Sequence, residues 1–144
     1  MTNIAFRREC DIARLPVYKT IGSSGADLFS IESVVLKPGD IRAISTGLQL
    51  AFCSPGLELQ IRTRSGMALK GVIVANSPGT CDFDFRGTVK VILMNVSPDD
   101  YAINIGDRIA QMVVQKVEQY QFEFTEEVQA TERGAGGFGS TGMK

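Results

Sequence analysis

The segment Leu48-Gln49-Leu50-Ala51-Phe52-Cys53-Ser54-Pro55-Gly56-Leu57-Glu58-Leu59-Gln60-Ile61 reads as two strands joined by a turn. Leu48, Leu50 and Phe52 alternate with Gln49 and Ala51, and Leu57, Leu59 and Ile61 alternate with Glu58 and Gln60, the period of strands with one face buried. Ser54-Pro55-Gly56 supplies the break, because proline presets φ and glycine accepts a positive φ. The same grammar extends both ways. Val89, Val91 and Leu93 open a more continuously apolar run, and Lys37-Pro38-Gly39-Asp40, Ser77-Pro78-Gly79, Ser97-Pro98-Asp99-Asp100 and Ile105-Gly106-Asp107 punctuate the chain as further turns. Many short strands with regular turns predict an all-β fold, an antiparallel sandwich or barrel.

One short helix is expected, with Ser65 as N-cap, Met67-Ala68-Leu69-Lys70 as helix formers and Gly71 at its end. A long final strand is expected from about Arg108 to Phe124. The division that follows is a β-rich core over residues 1–124 and a flexible, glycine-rich C-terminal tail over 125–144.

Composition narrows the chemistry. The formal net charge of −1 leaves no broad basic field for a nucleic-acid polymer, so any phosphate recognition is local. No apolar run reaches membrane-spanning length, and Arg7, Arg8, Glu9 and Asp11 stand where a signal peptide needs its apolar stretch, so a soluble, cytoplasmic protein is expected. Cys10, Cys53 and Cys81 are odd in number and lack C-x-x-C spacing, which speaks against a disulfide framework and a zinc knuckle. The chain contains no histidine, which excludes Ser-His-Asp and Cys-His hydrolysis and His-ligated zinc. Carboxylates and lysines remain as general bases.

Four segments carry candidate chemistry. Arg133-Gly134-Ala135-Gly136-Gly137-Phe138-Gly139-Ser140-Thr141-Gly142 joins a cation, an aromatic ring, hydroxyls and glycines, which suits a flap closing over a nucleotide and equally suits a loose tail. Arg62-Thr63-Arg64-Ser65-Gly66 offers guanidinium, hydroxyl and backbone donors to an anion, or is an ordinary capped helix. In Asn76-Ser77-Pro78-Gly79-Thr80-Cys81-Asp82-Phe83-Asp84-Phe85-Arg86-Gly87, an extended chain turns Asp82 and Asp84 to one side and Cys81, Phe83 and Phe85 to the other. A carboxylate there is a base or simply a turn residue. Gly106-Asp107-Arg108-Ile109-Ala110-Gln111 is a turn feeding a strand.

With Gly22-Ser23-Ser24-Gly25-Ala26-Asp27-Leu28 placed ahead of them, these segments occur in the order and at roughly the spacing of five motifs, and the chain resembles the trimeric deoxyuridine triphosphatase (dUTPase) family from about Gly22 to Gly142. The resemblance implies a jelly-roll-like subunit of the β-clip type, a homotrimer with shared active sites, and dUTP as substrate, with neither nucleic acid nor membrane as partner. It implies that Asp82 activates the water that attacks the α-phosphorus, releasing dUMP and pyrophosphate, and that Mg²⁺ is held through triphosphate oxygens and water rather than by side chains. Arg64, Ser65, Gly66 and Gln111 match phosphate-contacting positions. Arg133, Gly139, Ser140 and Thr141 match tail groups over the terminal phosphate, and Phe138 matches the ring over uracil. Asn76 and the stretch Gly79, Thr80 to Asp84 match the reader of the uracil edge, while Asp27 matches a supporting residue that pairs with an arginine such as Arg64.

Phe85 stands where the family usually has a tyrosine, Cys81 where it has a branched apolar residue, Thr63 where it has proline and Thr88 where it often has glutamate. Phe85 keeps the ring that excludes a 2′-hydroxyl, and Cys81 is expected to be an oxidation-sensitive point beside Asp82. Three rival readings stand beside it: a dCTP deaminase of the same fold, whose family carries a catalytic glutamate where this chain reads Val91-Ile92-Leu93-Met94-Asn95, a non-catalytic nucleotide-sensing trimer of the same fold, and a purely structural trimeric β-protein, which would leave the Arg64, Asp82 and Arg133 segments unexplained.

Overall fold

The computed structural model describes residues 4–137. Its elements follow in the order β1 (Ile4–Arg8), β2 (Ala26–Phe29), β3 (Val34–Leu36), β4 (Ile41–Cys53), β5 (Leu57–Arg62), α1 (Ser65–Ala68), β6 (Val72–Val74), β7 (Gly79–Asp82), β8 (Thr88–Asn95), β9 (Tyr101–Ile103) and β10 (Arg108–Lys116). The strands form two four-stranded sheets, β1-β4-β8-β6 and β2-β10-β5-β7, and a pair β3-β9, with every pairing antiparallel. The Ser54-Pro55-Gly56 turn does not fold β4 back on β5. It carries the chain from one sheet to the other, with Gly56 at φ 78. Leu50, Val89, Val91 and Leu93 of the first sheet and Leu28, Leu59, Ile61, Ile109 and Met112 of the second meet in one apolar cluster. Each such side chain contributes about 1.5–3 kcal/mol on burial.

Local departures from strict periodicity have local causes. Phe52, expected on the buried face, is 47% exposed, and Cys53 is buried in its place. The register explains the switch. Ala5 pairs with Phe52 but Phe6 pairs with Leu50, so Ala51 is an extra residue in a β-bulge, and the faces exchange beyond it. Ser65 is the first residue of α1 rather than its cap. Arg64 occupies the cap position with φ −85 and ψ 136 and makes no side-chain cap bond, because a guanidinium has no acceptor for the first-turn N–H groups; it donates to Asp27 instead. The alternation expected from Cys81 to Phe85 stops at Asp82, where the N–H of Phe85 bonds the carbonyl of Asp82 at 3.1 Å and closes a turn.

The final strand ends at Lys116 rather than near Phe124. Lys116 pairs with Leu57, the first residue of β5, and beyond that point β10 has no partner strand left. Residues 117–137 carry no regular structure, and Tyr120, Phe122, Phe124 and Val128 are exposed. Among the described residues, no helix is long and apolar enough to cross a membrane.

Gly71 closes the α1 corner at φ 74, and its carbonyl accepts the N–H of Val96 at 2.7 Å. A Cβ at Gly71 would lie 2.6 Å from Cβ and 2.9 Å from N of Ser97, whereas one at Gly22 would meet nothing within 4 Å. Gly71→Ala is therefore expected to destabilise the fold by about 1–3 kcal/mol through backbone strain and collision. Gly22→Ala is expected to have an effect within about 0.5 kcal/mol. Thermal unfolding of the two variants checks the difference.

Candidate active site

Every residue of β2 is buried, including Asp27. A carboxylate in such a strand is retained only if it is paired. Its Oδ1 accepts from Nε of Arg64 at 2.9 Å and its Oδ2 from Nη1 of Arg108 at 3.1 Å. Nη1 of Arg64 also donates to the carbonyl of Arg108 at 3.0 Å. Two guanidinium groups are thereby held side by side by one carboxylate, each with N–H donors left over. They stand between two clefts. One, of about 440 Å³, is lined by Ser24, Gly25, Ser65, Gly66 and Gln111 among others, and the second, of about 600 Å³, by Lys70, Asp100, Tyr101 and Asp107 among others. The first-turn N–H groups of Ser65 and Gly66 add donors, since the opening residues of a helix have no intrahelical partner.

Close packing builds this corner. Gln111 faces Asp27 across the β2–β10 pairing and donates from Nε2 to the carbonyl of Thr63 at 2.9 Å. Gly25 is the only size that fits beside it, because a Cβ there would collide with Oε1 of Gln111 and lie 3.0 Å from its Cβ. Thr63 is more than a neutral replacement for proline. Its N–H donates to Oγ of Ser77 and its Oγ1 accepts the N–H of Val74 at 2.9 Å, and the first bond needs the N–H that proline lacks.

A separate cavity of about 350 Å³ is lined by Asn76, Gly79, Thr80, Cys81, Asp82 and Phe85, with Ile92 at its wall. The amide of Asn76 lies against Gly79, where a Cβ would come within 3.0 Å of Nδ2. The Phe85 ring lies over Gly87, where a Cβ would approach Cζ to 2.5 Å. Arg86 staples the turn, donating from Nη1 to the carbonyls of Phe83 at 2.8 Å and Phe85 at 2.7 Å. Asp82 is exposed and also borders a cleft of about 500 Å³ that contains Glu58 and Asp84.

The arginine corner and the Asp82 cavity are far apart within the chain. Along β5, Glu58 pairs with Asp82 and Arg62 pairs with Gln111, so four residues of strand, at about 3.3 Å each, separate the two registers by roughly 13 Å. The strands β7 and β10 also flank β5 on opposite sides, which adds about 10 Å across the sheet. Arg133 is exposed and donates only to the carbonyl of Gly136 within its own turn, at 2.9 Å. Phe138, Gly139, Ser140 and Thr141 lie outside the described residues. Arg108 is the member of this arginine pair that sequence reading does not single out. Its only linear signal is its place at the start of a strand, and its partner Asp27 is 81 positions away.

Residues 11–142 match the dUTPase family model. The chain belongs to the dUTPase family. A deoxyuridine 5′-triphosphate nucleotidohydrolase of Helicobacter pylori (strain Shi470) is 52% identical over 132 residues, covering 91% of this chain and 90% of its own. The protein of the same name from Clostridium acetobutylicum is 43% identical over 145 residues, covering 100% and 99%. Among solved structures, a mutant dUTPase of Staphylococcus bacteriophage 80alpha with dUpNHpp superposes with a TM-score of 0.89 over 98% of this chain and 99% of its own, a likeness of fold at 24% identity.

The thiols correct one expectation. Cys81 is buried, and burial, followed by the charges of Asp82 and Cys53, pushes its pKa from 9.0 up to about 11. Burial also raises Cys53. A neutral, covered thiol is a poor nucleophile, so Cys81 is not an oxidation-prone point. Iodoacetamide at neutral pH is expected to label half-buried Cys10 and to spare Cys53 and Cys81 until the chain is unfolded, as read by intact mass. Between pH 9.0 and about 11 the unfolded chain ionises this thiol and the folded chain does not, so stability falls as pH rises through that window, and less steeply in Cys81→Val.

Asp27→Ala leaves Arg64 and Arg108 adjacent without their counter-charge. The expected cost is about 1–3 kcal/mol of stability, with loosened nucleotide binding. Asp27→Asn, which keeps an acceptor, is expected to fall between wild type and Asp27→Ala in calorimetric unfolding.

Proposed function

We propose that this chain hydrolyses dUTP to dUMP and pyrophosphate, and so limits uracil available for incorporation into DNA while supplying dUMP for thymidylate synthesis. The observation that carries the reading is the Asp27-bridged pair of Arg64 and Arg108 beside Ser65, Gly66 and Gln111, a concentrated anion site in a chain of net charge −1. The relatives named above support it. The cavity bounded by Asn76, Gly79, Thr80 and Phe85 takes the uracil and deoxyribose. A narrow turn of this kind rejects cytosine by donor–acceptor mismatch and thymine by its methyl group. The Phe85 ring closes the space a 2′-hydroxyl would need.

Asp82 orients a water and accepts its proton as the water oxygen bonds the α-phosphorus. The bond from that phosphorus to the α,β-bridging oxygen breaks, and pyrophosphate leaves. The guanidinium groups stabilise the charge that develops.

Asp82 and the arginine cleft of one chain lie too far apart to act on one phosphorus, which supports a working unit of more than one copy; the likeness to the dUTPase family implies a homotrimer in which the cleft of one subunit faces the Asp82 cavity of another. The tail from residue 125 onward reaches over a neighbour's site, bringing Arg133 and Phe138, Gly139, Ser140 and Thr141 to the nucleotide. Apolar side chains at Tyr120, Phe122 and Phe124, uncovered in a single chain, suit such a crossing.

The donor chemistry fits Mg²⁺ carried by the nucleotide. Asp27, the one carboxylate lining the cleft of about 440 Å³, has both oxygens engaged, and among the described residues there is no group of three His, Cys, Asp or Glu able to hold a metal. Mg²⁺ held by triphosphate oxygens and water neutralises phosphate charge when bound. A cytoplasmic place accords with the three free thiols. Deamination of dCTP is disfavoured, since Ile92 stands at the cavity wall and β8 contains no carboxylate.

Incubation with Mg²⁺ and dUTP, UTP, dTTP or dCTP in parallel, followed by chromatography, is expected to yield dUMP and pyrophosphate from dUTP alone. Asp82→Asn is expected to lower kcat by about 10²-fold or more while nucleotide affinity is kept. Conversion of dCTP to dUTP, or no turnover of any nucleotide by the wild type, rejects the assignment.

A further inference from the structure

We propose that Lys19 is a binding residue for the phosphate chain of the nucleotide, a cation outside the five motif segments that raises affinity for the triphosphate. The proposal rests on the dUTP-hydrolase reading above. Lys19 lines the 440 Å³ cleft on the wall formed with Ser23, Ser24 and Gly25, in the same cavity as Arg64, Ser65 and Gln111.

The charge balance of that cleft singles it out. Its charged lining is Lys19, Arg64, Arg108 and Asp27, and Asp27 already engages both arginines. Among the described residues Lys19 forms no ion pair, so it brings the cleft a full charge that no carboxylate offsets. Without it, two cations face one carboxylate. With it, three do. A triphosphate carries several negative charges, and a lysine ammonium meets phosphate as a compact point charge from a flexible stem.

The backbone on both sides of Lys19 is fixed. Two residues before it, Val17 bridges Asp27 itself, with the N–H of Asp27 bonding the carbonyl of Val17 at 2.9 Å and the N–H of Val17 returning at 3.2 Å. One residue after it, Thr20 closes a turn on Ser23. The N–H of Thr20 donates to Oγ of Ser23 at 3.1 Å, the two hydroxyls lie 2.9 Å apart, and the N–H of Ser23 bonds the carbonyl of Thr20 at 3.1 Å. The strand partner that holds the arginine-bridging carboxylate thus also sets where Lys19 enters the cleft. Lys19 is itself exposed and makes no hydrogen bond through its side chain among the described residues, so its ammonium is available to an anion in the cleft.

The test is steady-state kinetics of dUTP hydrolysis by wild type, Lys19→Ala and Lys19→Arg at low and high salt, with thermal unfolding of each. The expected result for Lys19→Ala is a KM higher by about threefold to tenfold, kcat lower by less than about twofold, a shallower dependence of KM on salt, an unchanged melting temperature, and recovery of KM in Lys19→Arg. An unchanged KM, or a fall in melting temperature together with kcat, overturns the proposal. Tripolyphosphate binding by calorimetry separates this outcome from failure of the functional reading. If the wild type does not hydrolyse dUTP but binds tripolyphosphate more tightly than Lys19→Ala, the cleft role of Lys19 stands and the hydrolase reading falls, whereas equal binding by both proteins overturns the role of Lys19.

Discussion

A buried carboxylate shared by two arginines organises this molecule. Asp27 sits in a strand with no exposed residue, and a carboxylate there has a heavy desolvation cost unless cations meet both oxygens. Arg64 and Arg108 meet them, and Asp27 between them offsets the repulsion of the two guanidinium groups. One interaction therefore ties together three segments distant in sequence: the strand β2, the cap of α1 and the start of β10. It also engages the cap residue of α1: Arg64, whose guanidinium has no acceptor for the first-turn N–H groups, donates to Asp27.

The same pairing sets what can approach. Guanidinium donors not used on Asp27 face open clefts, and the close packing of Gly25 on Gln111 and of Thr63 against Ser77 and Val74 leaves this corner little room to relax. A rigid, locally cationic corner in a chain of nearly balanced charge attracts a small polyanion rather than a long polymer.

Strand β5 acts as a spacer between this corner and the turn that carries Asp82. Its two ends pair with Gln111 and Asp82, and its length keeps the two regions from merging into one pocket. A chain built this way holds two incomplete sites at opposite ends of a strand. The proposed function answers that separation by joining the cleft of one copy to the Asp82 cavity of another, and Tyr120, Phe122 and Phe124 stand exposed after Lys116.

Strand periodicity, the Pro-Gly turns and the brevity of the helix were legible in the residues, as were the segments around Arg64, Asp82 and Gln111. Such features depend on φ preference and on alternation over a few neighbouring positions. The rest depended on partners distant in the chain. The bulge at Ala51 that turns Phe52 outward, the end of β10 where β5 begins, the pairing of Arg108 with Asp27 and the entry of Lys19 into the same cleft all arise from contacts across tens of residues. Sequence alone thus determined which local conformations and which reactive groups the chain carries. Only the tertiary structure decided which of them meet, because burial and charge pairing are properties of three-dimensional neighbours that a linear pattern does not record.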